Sequence, residues 1–156
     1  MKIENRKHID KPEPKPVLAD VAEARGIEFK AWDKKEQRLF DVYGLGVDFV
    51  TENTFDGVDE GVNCFSGDEF KERIVIMQFT GFLDKNGNKI FEGFNLGDWT
   101  KTDEGLKQSK QQVFWKDGAW RIDFSANQDK SWYDYLKNDL EDFDYEIVGH
   151  IYECKV

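Results

Sequence analysis

The side chains best suited to nucleophilic or metal chemistry are two histidines and two cysteines, and their spacing serves neither. His150 and Cys154 fall on one face of a strand-like segment, four positions apart. At ~3.3 Å per residue they stand roughly 13 Å from each other, beyond the hydrogen-bond reach that activates a thiolate. His8 lies in a polar N-terminal stretch, and Cys64 has no cysteine near it in sequence. Neither pair gives a zinc spacing. His150 therefore reads as a structural residue, and in a reducing compartment both cysteines read as free thiols, with a single Cys64–Cys154 disulfide the alternative that sequence leaves open.

The segment DKNGN offers Asp84, Asn86 and Asn88 at the first three ligand positions of a calcium loop. Lys89 stands where that loop needs glycine and Asn95 where it needs the bidentate glutamate. A tight turn is the better reading. The acidic stretch Asp56 to Glu60 reads as a solvated loop. Gly44-Leu45-Gly46 lacks the third glycine and the helix start of a dinucleotide fingerprint. With 32 acidic residues, proximity of two carboxylates in sequence says nothing of general acid catalysis, which needs a pKa raised by burial or by a like charge. The residues thus call for no catalytic set, no metal and no cofactor. The aromatics are the softer lead. Trp99, Trp115, Trp120 and Trp132 include candidates for an exposed stacking platform, of the kind that binds nucleic-acid strands or proline-rich peptides. Core packing is the competing role. Lys101, Lys107 and Lys110 stand near Trp99 and Trp115 and form a basic stretch beside aromatic residues.

The elements that must position these groups are mostly strands. Hydrophobic residues make up 39% and aromatics 15% of the 156, enough for a core and biased toward pleated surfaces. No secretory leader and no membrane-length apolar run is present, so a protein of the reducing cytoplasm is expected. The net charge of −10 is uneven: residues 27–70 and 125–156 are acidic, and the rest is nearly neutral. Such a chain gains little from counterion release on nucleic acid except through one local patch.

Residues 1–16 hold all three prolines, in KPEPKP, and read as an extended polar tail. Residues 17–25 read as a short helix with Val17, Leu18 and Val21 on one face and Gly26 as its stop. The tail and helix (1–26) precede a β-rich domain over 27–156. From Ile27 the period becomes two. Ile27, Phe29 and Ala31 share one face, with Trp32 on the other. A further strand runs from Arg38 to Val50, bent at Gly44 and Gly46. Residues 51–69 read as a long loop pinned by Phe55, Val58 and Phe65. Ile74 to Phe79 is apolar on both faces and reads as a central strand. Asn86-Gly87 and Asp117-Gly118 are hairpin signals, since both positions of a type I′ turn need positive φ. The first sets Asp84 opposite Lys89, Leu83 opposite Ile90 and Phe82 opposite Phe91. The second sets Trp115 opposite Trp120, Val113 opposite Ile122 and Phe114 opposite Arg121, a register that segregates the faces. Residues 129–143 read as an amphipathic helix, with Trp132, Tyr135, Leu136, Leu140 and Phe143 in one stripe. Asp134, Asp139, Glu141 and Asp142 lie away from the stripe or on its borders. Tyr145 to Glu153 reads as a closing strand bent at Gly149.

Three segments resemble a known family. EFKAWDKKEQRL from Glu28 is similar to the opening of YopX-type proteins. MQFTGFLDKNGNKIFEG from Met77 resembles their central signature, and YEIVGHIYE from Tyr145 their closing strand. The likeness spans about residues 27–154. One departure follows Glu92-Gly93, where Phe94-Asn95-Leu96 stands before a delayed Gly97-Asp98-Trp99. The resemblance implies a phage or prophage origin and a mainly β (α+β) fold: a small SH3-like β-barrel over roughly 74–154 with added strands. It carries no established activity, so no catalytic residue transfers.

The function expected is a non-enzymatic accessory protein, an adaptor or a self-assembling module. Its partner is a host or phage protein or a second copy, with no membrane involved. The helix 17–25 and the acidic face Asp134, Asp139, Glu141 and Asp142 are the surfaces to test. The alternative is a nucleic-acid-directed protein, acting through Trp99 and the Lys101–Lys110 stretch or as an acidic mimic of DNA. An enzyme is the third option.

Overall fold

The computed structural model describes residues 26–52, 63–124 and 133–153. The tail and helix read over 1–25, Phe55, Val58, the Asp56–Glu60 stretch, Trp132 and Cys154 lie outside them.

The fold is mainly β and antiparallel. Strands β1 (Phe29–Asp33), β2 (Arg38–Leu45), β3 (Phe49–Glu52), β4 (Cys64–Ser66), β5 (Ile74–Leu83) and β6 (Lys89–Phe91) form one sheet, in the order β4-β3-β2-β1-β5-β6. Strands β7 (Phe94–Gly97), β10 (Gln111–Lys116), β11 (Ala119–Asp123), β12 (Tyr133–Tyr135) and β13 (Glu146–His150) form a second, in the order β12-β11-β10-β7-β13. Strands β8 (Trp99–Thr102) and β9 (Gly105–Gln108) make a separate exposed hairpin. Helices α1 (Gly67–Arg73) and α2 (Leu136–Asp142) are short. Among the described residues no helix is long and apolar enough to cross a membrane.

Burial follows the period-two pattern. Ala31 packs with Phe40, Val50, Phe65 and Ile74 on one face of the first sheet. Trp32, on the other face, packs with Met77, Phe91 and Phe94. The second sheet buries Leu96, Val113 and Ile122 against Leu136 and Tyr145, and Ile90 of the first sheet joins this cluster. At β10–β11 the register pairs Trp115 with Trp120, Val113 with Ile122 and Phe114 with Arg121, as the pattern predicts. Asp117 and Gly118 both take positive φ, 52° and 74°, as a type I′ turn demands. Gly149 carries the bend of the closing strand, where the β13–β7 register shifts.

Four expectations are corrected. The expected barrel is not closed. Both sheets are open among the described residues, because the chain changes sheets at a single turn. The Glu92 amide donates to Gln78 of the first sheet at 2.8 Å, and the next amide, Gly93, donates to Val113 of the second at 2.8 Å. Gly93 takes φ +79°, which lets the backbone switch direction there. The segment expected as a loop over 51–69 contributes the end of β3, then β4 and the start of α1.

The Asn86-Gly87 hairpin has a different register. Phe79 pairs with Phe91 and Leu83 with Lys89, so β5 carries extra residues between them. Gly87 has positive φ but Asn86 does not, which rules out a type I′ turn. The Asp84 carboxylate shapes the loop instead, accepting the amides of Asn86 at 2.9 Å and Asn88 at 2.8 Å. Lastly, among the described residues the helix expected over 129–143 covers Leu136–Asp142, because Tyr133–Tyr135 pair with β11 as an edge strand. The inward-facing Leu136 belongs to both readings, so the stripe alone does not tell helix from strand at its start.

Candidate functional site

Each sheet-forming face has two ends, and one end of the β10–β11 face is not covered. Val113 and Ile122 are fully buried on it. One pair further along, Trp120 packs against that core and Trp115 is 53% exposed. Their rings meet edge to face, with centroids 4.9 Å apart and planes at 72°. This is the offset geometry that the ring quadrupoles favour. The core face thus emerges from the molecule as an indole pair.

The bulge in β5 builds the opposite wall. Thr80 donates its hydroxyl to the Ile90 carbonyl at 2.8 Å, holding the extra residues in place. Gly81, at φ +86°, is exposed, and Phe82 turns toward the second sheet's core. Phe79, Phe82, Trp115, Trp120, Tyr135 and Lys137 line an open cleft of about 830 Å³ between the sheets. Tyr135 is 47% exposed. Its other side is held by the Arg121 guanidinium, 3.6 Å from the ring centroid. A cation packed on a ring fixes that ring's plane, so the cleft has stiff aromatic walls. Lys137 is the one charged residue of the lining, and it pairs with Glu141 at 3.7 Å. Such a surface can take up an apolar segment.

A second groove is lined by Ile27, Lys30, Tyr43, Leu45, Lys89 and Phe94, among others. Its charges satisfy one another: Lys30 pairs with Asp41 at 2.5 Å and Lys89 with Glu28 at 2.5 Å.

The residues singled out in the sequence are dispersed. Trp99 is 51% exposed, and its indole N–H donates to Glu146 at 2.9 Å. In the β8–β9 register, Trp99 faces Gln108 and Lys101 faces Leu106, while Lys107 faces Thr100. Alternation therefore puts Lys101 beside Trp99 on one side and Lys107 on the other. Lys110 lies outside the hairpin, near enough to His150 to disfavour its charged form. His150 is buried against Trp32, with ring centroids 4.9 Å apart, and against Phe94 and Tyr152. Burial pushes its pKa down. Asp134, Glu141 and Asp142 lie outward or at the border, but Asp139 is buried, contrary to its expected place. Burial and the carboxylates of Asp134 and Asp142 push its pKa up to about 6. Cys64 is exposed and free. Asp84 spends its oxygens on backbone and Asn88 donors, including the Ile147 amide at 3.2 Å. Among the described residues no cluster of three or more metal-binding side chains occurs.

The sequence did not single out Phe82 or Tyr135 as binding residues. The signal was present in part. Trp115 sits one step from a glycine turn, where a paired face runs out of partners.

Comparison with known proteins agrees with the residue likeness. No curated protein matches the chain. The crystal structure of protein EF1440 from Enterococcus faecalis is similar, with a TM-score of 0.56 and 25% sequence identity. The likeness covers 82% of this chain and 94% of that one. The family described as YopX protein matches residues 28–154. The chain belongs to the YopX protein family.

Proposed function

We propose that the chain is a non-enzymatic protein-binding module that takes up an apolar segment of a partner protein in the Trp115–Tyr135 cleft. The family resemblance supports a phage-encoded accessory role, and the partner proposed is a host or phage protein of the bacterial cytoplasm. The observation that carries the reading is the exposed end of the β10–β11 face. Trp115 and Tyr135 are half exposed, yet both are held by ring or cation contacts. Rigid aromatics lose little entropy on binding and are the usual anchors of interfaces. Selection of displayed random peptides on the full-length protein tests this. Apolar peptides should be enriched, and Trp115→Ala should weaken them at least about tenfold while costing only about 1 kcal/mol of stability through the lost Trp120 ring contact. Absence of enrichment, or undiminished binding by the variant, removes the reading.

The nucleic-acid alternative rests on the β8–β9 hairpin, where Trp99 and Lys101 share a face. It gains less from the geometry, since Lys107 and Lys110 point elsewhere. The form that mimics DNA loses Asp139 to burial. A gel shift at low salt separates the first form, which predicts direct salt-sensitive binding.

A further inference from the structure

Lys137, the one charge in the cleft lining, is occupied by Glu141. A second cation stands behind the cleft wall. Arg121 lies between Trp120 and Ile122 on β11, so it points to the opposite face of the sheet. The strand register sets it between Phe114 and Tyr135. Its guanidinium carbon is 3.6 Å from the centroid of the Tyr135 ring, and Tyr135 lines the cleft. A single ring therefore stands between the guanidinium and the cleft.

Arg121 differs from the other arginines of the described residues. Arg38 holds Glu52 and Arg73 holds Asp33, whereas Arg121 enters no ion pair among the described residues. It donates its Nε–H to the Lys116 carbonyl at 3.5 Å. Stacking on a ring leaves the donors at the rim of a guanidinium open to a carboxylate. Lys116 is exposed and likewise without an ion pair there, with its Nζ 4.4 Å from the Tyr133 ring centroid. Arg121 is 5.7 Å from the same ring. Two like charges are thus gathered on neighbouring tyrosines, and a carboxylate placed beside them would offset their repulsion and accept the guanidinium's donors. The chain's net charge of −10 disfavours an acidic partner at long range, so such a carboxylate is selected by contact and not by steering.

We propose that the partner segment is acidic as well as apolar: an apolar side chain enters the cleft between Trp115 and Tyr135, and a neighbouring carboxylate reaches across the Tyr135 ring to Arg121, with Lys116 beside it. Alternate side chains of an extended segment stand roughly 7 Å apart, enough to straddle that ring. The proposal rests on the protein-binding reading above, and its test separates the two.

Selection of displayed random peptides on the intact chain should enrich Asp or Glu next to the apolar anchor or one residue beyond it. The most enriched sequence, made as a synthetic peptide, is the probe. Replacing its acidic residue by the matching amide should weaken binding about threefold to fivefold, as for a partly exposed ion pair. On Arg121→Gln the acidic and amide peptides should bind alike, and Arg121→Lys should restore part of the difference. Enriched peptides without an acidic bias overturn the proposal and leave the binding reading standing. So does an amide peptide that binds the parent protein as tightly as the acidic one, a comparison that needs no protein variant. A preference undiminished on Arg121→Gln assigns the carboxylate to another cation and also overturns the proposal. Absence of any enriched peptide removes both readings.

Discussion

Asp33 is fully buried and gives both carboxylate oxygens to Arg73, at 2.7 and 2.6 Å, while the amides of Lys35 and Glu36 also point at it. These donors hold its pKa near 2, below the usual 3.8. Its contribution to stability is present above about pH 4 and is lost as the pH falls through 2. Asp33→Asn removes the buried partner of Arg73 and leaves it Glu69 at 2.7 Å, so it should cost about 2 kcal/mol at pH 7 by denaturant titration. Asp139 behaves oppositely. One of its oxygens is buried without a hydrogen-bond partner among the described residues. Its pKa is raised to about 6, so its favourable contribution is complete below about pH 4 and is lost as the pH rises through 6. Asp139→Asn should therefore stabilise the protein by about 1–2 kcal/mol at pH 7.5 and flatten the stability profile between pH 4 and 6. Calorimetry across that range checks both. Neither behaviour was legible in the sequence: the Asp33 pair joins residues forty apart, and the burial of Asp139 depends on which side of a short helix faces the core.

At the scale of elements, legibility tracked how local the determinant was. The β10–β11 hairpin was readable because Asp117-Gly118 and the alternating tryptophans specify the same register. The β5–β6 hairpin misled, because Asp84 overrides Asn86-Gly87 by collecting amides from both sides of the loop. The sheet change at Glu92-Gly93 was not readable. It depends on Val113 and Gln78, residues distant in sequence. The cleft was half legible: Trp115 and Trp120 were named, but its Phe82 wall follows from that bulge. Two glycines separate conformation from packing. At Gly118, φ is +74° and an added Cβ meets open space. Gly118→Ala should cost about 1 kcal/mol. At Gly93, φ is +79° and a Cβ would lie 3.3 Å from Ile151 and from Met77. Gly93→Ala should cost clearly more, about 2–3 kcal/mol, as read from paired urea transitions.

Across the whole molecule, the two sheets share one core through Ile90. It is a strand residue of the first sheet that clusters with Leu96, Val113 and Ile122 of the second and with Leu136 and Tyr145. The sheets should therefore unfold together. Fluorescence of variants retaining Trp32 or Trp120 as reporter should give coincident urea midpoints. Ile90→Ala should lower both by an amount worth about 2–5 kcal/mol. Separate midpoints in the parent protein would show that the clusters are energetically independent.

The second sheet places β7 between β10 and β13. Strand β7 is therefore flanked by one made soon after it and by one made much later. On a ribosome, Phe94 to Gly97 emerges long before Glu146. Until Glu146 to His150 follow, that side of β7 offers bare amides and carbonyls to any passing strand. Prematurely terminated products ending before Glu146 keep this raw edge for good, which makes them templates for aggregation.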